Sequence, residues 1–179
     1  MSIQQLATQG RERTYSGLAA IDTARLRQMR DSAIRNCFLR FEETTSRIEH
    51  VATIHGKEYI NDAAARSVNA TLYTLHRTSG PIVWIAMADD SGTDYTALRS
   101  IALRKVHMLV CVGIGSAALH QAFASVVPAV VDVPDIAAAV QVASRCPVQG
   151  AKVIYSPATA AGGAATTEAK TFIHQVNEL

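Results

Sequence analysis

Four short stretches of this chain bring together residue types that could do chemistry. The first is "YINDAAARSVNATLY", residues 59 to 73, where an apolar run ends on Asn61-Asp62 and a helical pattern follows. A carboxylate at a strand-to-helix corner can face a ligand, or it can cap the helix, which is favourable in the first turn without any ligand. The turn itself reads Ala63-Ala64-Ala65 and offers only methyl groups. The second stretch, "MADDSGTDY", carries the adjacent acids Asp89 and Asp90. Paired carboxylates can hold Mg²⁺ or exchange protons, and in a Ser/Gly-rich loop they also serve as turn and cap residues. In the third, "VCVGIGSAALH", Gly113, Gly115 and Ala118 spell G-x-G-x-x-A after a strand, and Asp132 ends the next one. That is the layout of a dinucleotide-binding turn, with pyrophosphate on a helix N-terminus and the acid on a ribose. It lies inside the strand order rather than in the first strand–helix–strand unit, and a tight glycine turn accounts for it equally. The fourth, "YSPATAAGGAATTEA", is small and uncharged until Glu168. Its backbone amides could cradle an anion, but its only reactive side chains are hydroxyls.

Other chemistries lack their residues. His50, His55, His76, His107, His120 and His174 never fall at the i, i+4 spacing of a helical metal site and have no Cys or acidic partner nearby in sequence. No metal site is therefore expected, and His120 reads as a helix-surface residue. There is no G-x-S-x-G elbow and no G-x-x-x-x-G-K-[ST] phosphate loop. Cys37, Cys111 and Cys146 are odd in number and widely spaced, so a reducing compartment is expected. Cys111, inside an apolar run, reads as a buried inert thiol.

The elements that must position these residues follow from hydrophobic period. "RIEHVATIHGKEYIND" predicts two strands around Gly56, the pattern of a hairpin. Beyond it, "PIVWIAMA", "VHMLVCVG", "AVVDVP" and "AKVIYSP" read as strands. They alternate with helical patterns in "SVNATLYTLHRT", "DYTALRSIALRK", "SAALHQAFASV", "DIAAAVQVASRC" and "AATTEAKTFIHQVNEL". Thr93 or Asp94 is the expected cap of the second helix and Asp135 stands at the start of the fourth. Strand–helix repetition with apolar, β-branched strands predicts a Rossmann-like α/β domain: a mainly parallel sheet of about six strands with helices on both faces. Ligands of such sheets sit beyond the carboxyl ends of the strands, where Asp62, Asp89, Gly113 and Ser156 fall.

Residues 1–41 lack strand patterning. Leu18, Ile21, Leu26, Met29, Ile34, Phe38 and Phe41 recur at mostly helical spacing, so an N-terminal helical segment is expected before an α/β domain over 42–179. Seven arginines between Arg11 and Arg40 form a solvated helix face or a surface for an anion or partner. Net charge is only +2, too little to imply nucleic acid. No apolar run approaches the roughly 20 residues of a membrane span and no targeting signal opens the sequence. A cytoplasmic protein with no membrane or nucleic-acid partner is the expectation.

"RIEHVATIHGKEYIND", "SVNATLY", "GPIVWIA", "GTDYTAL" and "YSPATA" occur collinearly and resemble the C-terminal domain of the Mur ligases, nearest to the D-glutamate-adding branch. The similarity runs from about residue 8 to the end of the sequence. "TQGRERTYSGLAA" looks like the G-x-H-N segment that closes the family's central domain, with Glu12 and Arg13 in place of His-Asn. The resemblance implies that Arg47 and Asp62 match the family's nucleotide-binding pair, at the expected spacing. It also implies that the amino-acid pocket has been lost. The family's Asp-Ser-Lys-Ala-Thr-Asn corner reads Asp62-Ala63-Ala64-Ala65-Arg66-Ser67, a further lysine is Ser91, and a serine is Ala161.

A stand-alone, catalytically inactive binding or interaction module is therefore the leading expectation, with weak ATP or ADP binding as its one cofactor. Its expected partner is a second copy (a homodimer) or another Mur-ligase-like chain, met through the N-terminal helices. Three alternatives stay open. One is the C-terminal part of a working ligase completed by a separate ATPase chain. Another is a dinucleotide-binding protein using Gly113, Gly115 and Asp132. The third is a gene remnant.

Overall fold

The computed structural model describes residues 48–89, 92–160 and 165–179. The N-terminal helical segment and the boundary proposed near residue 42 lie outside them, as do Arg47, Asp90, Ser91 and Ala161. The domain opens with a hairpin of β1 (Glu49–Ile54) and β2 (Lys57–Asn61). Its two-residue link, His55-Gly56, has positive φ at both positions (50° and 76°), the pattern of a type I′ turn. That turn twists with the strands, so a left-handed histidine is tolerated to set the register.

The remaining elements alternate: α1 (Val68–Arg77), β3 (Ile82–Met87), α2 (Arg99–Lys105), β4 (Val106–Val112), α3 (Ala117–Phe123), β5 (Val130–Val133), α4 (Ile136–Ser144), β6 (Lys152–Tyr155) and α5 (Ala165–Asn177). The six strands form one sheet in the order β1-β2-β6-β3-β4-β5, parallel except for β1. The expected Rossmann-like architecture is therefore present. The last strand, β6, is inserted between β2 and β3, which brings the ends of β2, β6 and β3 side by side.

Side-chain alternation along the strands divides the core in two. Val83, Ile85, Val110, Val153 and Tyr155 pack under α4 and α5 with Val140, Phe172 and Val176. Ile82, Trp84, Leu109, Cys111 and Ile154 pack under α1, α2 and α3 with Leu75, Ile101, Leu119 and Phe123. Central strands buried on both faces explain the unbroken apolar runs in the sequence.

Side chains satisfy some of the helix ends. Ser67 and Asp135 cap α1 and α4, accepting from the amides of Ala70 and Ala138. Lys105 Nζ donates to three carbonyls at the end of α1, those of Leu75, His76 and Thr78. Lys57 Nζ donates to the Ser144 carbonyl at the end of α4. The helix expected from "DYTALRSIALRK" is divided: a 3₁₀ turn, Thr96–Leu98, precedes α2. Asp94 receives the Thr96 amide there, while Thr93 turns its hydroxyl to Asp89 instead of capping.

Phe123 anchors the second half-core. It stands edge-on to Trp84 (centroids 5.3 Å apart, planes at 84°) and tilted against Tyr95. Phe123→Ala should cost about 3–5 kcal/mol, since the fully buried ring leaves a cavity among aromatic neighbours that cannot collapse. Urea unfolding followed by fluorescence of Trp84, the chain's single tryptophan, measures it. A loss under about 1 kcal/mol would refute this packing.

Candidate functional site

The ends of β2, β6 and β3 form a corner built on two buried carboxylates. Asp62 follows β2 and is only 1% exposed. Its Oδ2 accepts from Thr74 Oγ1 (2.6 Å), in α1, and from Ser156 Oγ (3.1 Å), just past β6. The Ser156 hydroxyl also meets Thr71 Oγ1 at 2.8 Å, and the Ser156 carbonyl accepts from Trp84 Nε1. Asp89, beyond β3 and equally buried, accepts at one oxygen from Thr93 Oγ1 and Thr159 Oγ1. Each carboxylate thus ties its own strand to the loop that follows β6.

The expected alternative to ligand binding at Asp62, a helix cap, is corrected. Ser67 caps α1, five residues later, and Asp62 instead reaches the middle of that helix through Thr74. The backbone of Asp62 is also engaged: its amide donates to the Tyr155 carbonyl, and its carbonyl accepts from Ala65. The alanine turn is a packed element. Ala63 and Ala65 are buried, and Ala65 accepts from the amide of Ala158, a fully buried residue held at φ 64°. A left-handed alanine is unfavourable by itself and persists here because surrounding contacts dictate it.

Arg66 is spent inside the structure. Nη1 pairs with Glu168 Oε2 at 2.8 Å and Nη2 donates to the Ala160 carbonyl at 2.7 Å. Tyr155 donates to the same Glu168 oxygen at 3.0 Å. Burial, with the charge of Glu168 beside it, pushes the Tyr155 phenol well above its usual range. Beside this cluster a crevice of about 460 Å³ opens at the ends of β3 and β4. Met87, Val112, Pro134 and Ile136 line it, and its charged residues are both acids, Asp135 and Glu168.

At the far side, Gly113 and Gly115 both take positive φ (94° and 95°), so the expected tight turn is present, with Ile114 exposed at its tip. The helix it opens has seven residues. Asp132, the acid expected on a ribose, is engaged instead by His120, whose Nε2 lies 3.0 Å from both carboxylate oxygens. The hydroxyl of Ser116, and then His120, hold the Asp132 carboxyl below its usual range. Sequence spacing had left His120 without an acidic partner; the fold supplies one from the next strand.

No family model matches the chain. Curated relatives do. A UDP-N-acetylmuramoylalanine–D-glutamate ligase of Christiangramia forsetii is 33% identical over 160 residues, covering 89% of this chain and 36% of the relative. The ligase of the same name from Porphyromonas gingivalis is 31% identical over the same coverage, and that of Salinibacter ruber 37% identical over 113 residues. The chain is homologous to the UDP-N-acetylmuramoylalanine–D-glutamate ligases. It spans about a third of their length. A solved domain ascribed to a UDP-N-acetylmuramate:L-alanyl-gamma-D-glutamyl-medo-diaminopimelate ligase of Haemophilus ducreyi overlaps 72% of the chain with a TM-score of 0.47 and 10% identity. An overlap that loose carries no argument.

Among the residues the Mur-ligase resemblance singled out, Asp62 lies in the buried corner, while Arg47, Ser91 and Ala161 lie outside the described residues. Thr74 and Ser156, which hold Asp62, and Thr71, which meets the Ser156 hydroxyl, were missed in the sequence. Threonines three apart on one helix face were the available signal, but the same pattern is common in helices with no such role. Among the described residues no helix is long and apolar enough to cross a membrane.

Two outcomes follow. Asp62→Ala should destabilise the domain by about 1–3 kcal/mol, because it removes a buried acceptor shared by the Thr74 and Ser156 hydroxyls; Ser67→Ala, the true cap, should cost about 0.5–2 kcal/mol. Chemical denaturation at neutral pH measures both, and a neutral Asp62→Ala would refute the hydroxyl network. The second outcome concerns alkali. Burial raises the Cys111 thiol to about 12 from 9.0 and the Tyr155 phenol above 10.0, so both hold their protons more tightly when folded. Their contribution is complete below the unfolded values and is lost as pH rises through and beyond them. The urea midpoint should therefore fall above about pH 9, and Tyr155→Phe should flatten the fall beyond pH 10.

Proposed function

We propose that this chain is a Mur-ligase C-terminal-like module that has lost amino-acid ligation and works by binding a partner. The observation that supports it best is the state of the corner after β2. Its turn is alanine, two of the three alanines are buried, and the cation that follows it, Arg66, is committed to Glu168 and a carbonyl. A pocket for an acidic amino acid needs exposed donors aimed at a carboxylate. Each charge-assisted hydrogen bond forfeited there removes about 1.5–3 kcal/mol, and the adjoining crevice has an acidic lining.

Asp62 survives in this reading because it is structural, held by Thr74 and Ser156. Weak ATP or ADP binding through Arg47 and Asp62 is the residual activity that remains open to measurement. The partner surface is the N-terminal segment, where Leu18, Ile21, Leu26, Met29 and Phe38 form an apolar stripe. Contiguous apolar surface of this kind is ordinarily covered, here by a second copy or by another Mur-ligase-like chain.

The chain alone, given MgATP, UDP-N-acetylmuramoylalanine and D-glutamate, should release no phosphate above a blank and form no amide. Phosphate release dependent on both substrates would overturn the reading and favour a working ligase part. Nucleotide binding is read separately, from amide resonances at millimolar ADP. Shifts centred on Asp62 would show a retained nucleotide site. Light scattering should give a dimer mass, or a monomer that associates on adding a Mur-ligase-like chain. A monomer that ignores both would remove the partner proposal.

A further inference from the structure

Away from that corner, strand β4, helix α3 and edge strand β5 bring together Cys111, His120 and Asp132. Each offers one metal-ligating atom, and the three atoms lie within 4.8 Å of one another. Cys111 and Asp132 are register partners on neighbouring parallel strands, so both side chains leave the same face of the sheet. His120 comes down onto them from α3, three residues past the helix start. Nothing in the sequence spacing, nine residues and then twelve, suggests the grouping; the strand–helix–strand unit creates it.

We propose that Cys111, His120 and Asp132 form a binding site for a single zinc-class divalent metal ion. Three observations carry the assignment. The donors are a thiol sulfur, an imidazole nitrogen and a carboxylate, the set that borderline ions such as Zn²⁺ take and that Mg²⁺ or Ca²⁺ do not. Tetrahedral zinc with bonds of about 2.0–2.3 Å places its ligands about 3.3–3.7 Å apart, so the donors need close by only about an ångström. His120 turns a single nitrogen to Asp132, which is how two ligands of one ion sit. In a nucleophile–base–acid relay the imidazole would use its two nitrogens separately.

The environment is graded in a way that suits entry from solvent. Cys111 is fully buried, at the floor, while the side chains of His120 and Asp132 are 37% and 52% exposed, at the mouth. The Ser116 hydroxyl, bonded to Asp132, is the kind of outer contact that orients a ligating carboxylate. Ligation of a divalent ion takes the thiolate form of Cys111 and releases the thiol proton to solvent. The ion would clamp α3 to strands β4 and β5 at the edge of the sheet.

The test is titration of the untagged, metal-free chain with Co²⁺, in a Cys37→Ser background that leaves the proposed ligands intact. One equivalent should bind, with a thiolate-to-cobalt charge-transfer band and the intense visible bands of four-coordinate cobalt, and Zn²⁺ should displace it and raise the melting temperature. Cys111→Ser should abolish the charge-transfer band. His120→Ala and Asp132→Asn should each weaken binding at least about tenfold, since even outer-shell partners are worth that much. These two side chains are part-exposed, so their variants keep the test decisive where Cys111→Ser fails to fold. Absence of a charge-transfer band in the Cys37→Ser chain, or binding undiminished by His120→Ala and Asp132→Asn, would overturn the site.

Discussion

A carboxylate withdrawn from water must find donors inside the protein, and in this domain that requirement falls on Asp62. The hydroxyls that meet it come from α1, through Thr74, and from the segment after β6, through Ser156. Satisfying one buried acid therefore fixes how the first helix leaves the hairpin and where the last strand ends. Ser156 then extends the chain of contacts to Thr71 and, by its carbonyl, to Trp84 in β3. Removing a member takes a hydrogen-bond partner from a buried polar group, which costs more than an exposed bond contributes.

The strand order turns that local constraint into a global one. Because β6 lies between β2 and β3, the loop after it reaches an acid on each side: Asp62 through Ser156 and Asp89 through Thr159. In open α/β sheets this edge is where ligands ordinarily sit. Here the protein's own hydroxyls, alanine methyls and the Arg66–Glu168 pair occupy it. The relationship to UDP-N-acetylmuramoylalanine–D-glutamate ligases and the closure of the corner are compatible because packing and chemistry place separate demands on the same positions. Alanine can hold such a turn, provided the backbone hydrogen bonds remain.

The opposite edge shows the reverse balance. Around Cys111, His120 and Asp132 the polar groups are not distributed through a buried network but converge from three elements toward solvent. A buried thiol alone is an ordinary core residue, and a His–Asp pair alone is an ordinary surface contact worth little. Their convergence on one small volume distinguishes this edge from the corner, where Asp62 and Asp89 each gather two hydroxyls inside the protein.

The sequence by itself determined the fold class. Apolar strand runs, helical period and punctuation by glycine and proline were enough for six strands, five helices and the hairpin at Gly56, because these are local consequences of burying one face of each element. It also carried the kinship, through collinear motifs. The tertiary structure alone decided which side chains meet. The role of Asp62 turned on Thr74 and Ser156, 12 and 94 residues away, and the partner of His120 lay on the following strand. Contacts of that kind are set by strand order and helix placement, and residue spacing along the chain holds no record of either.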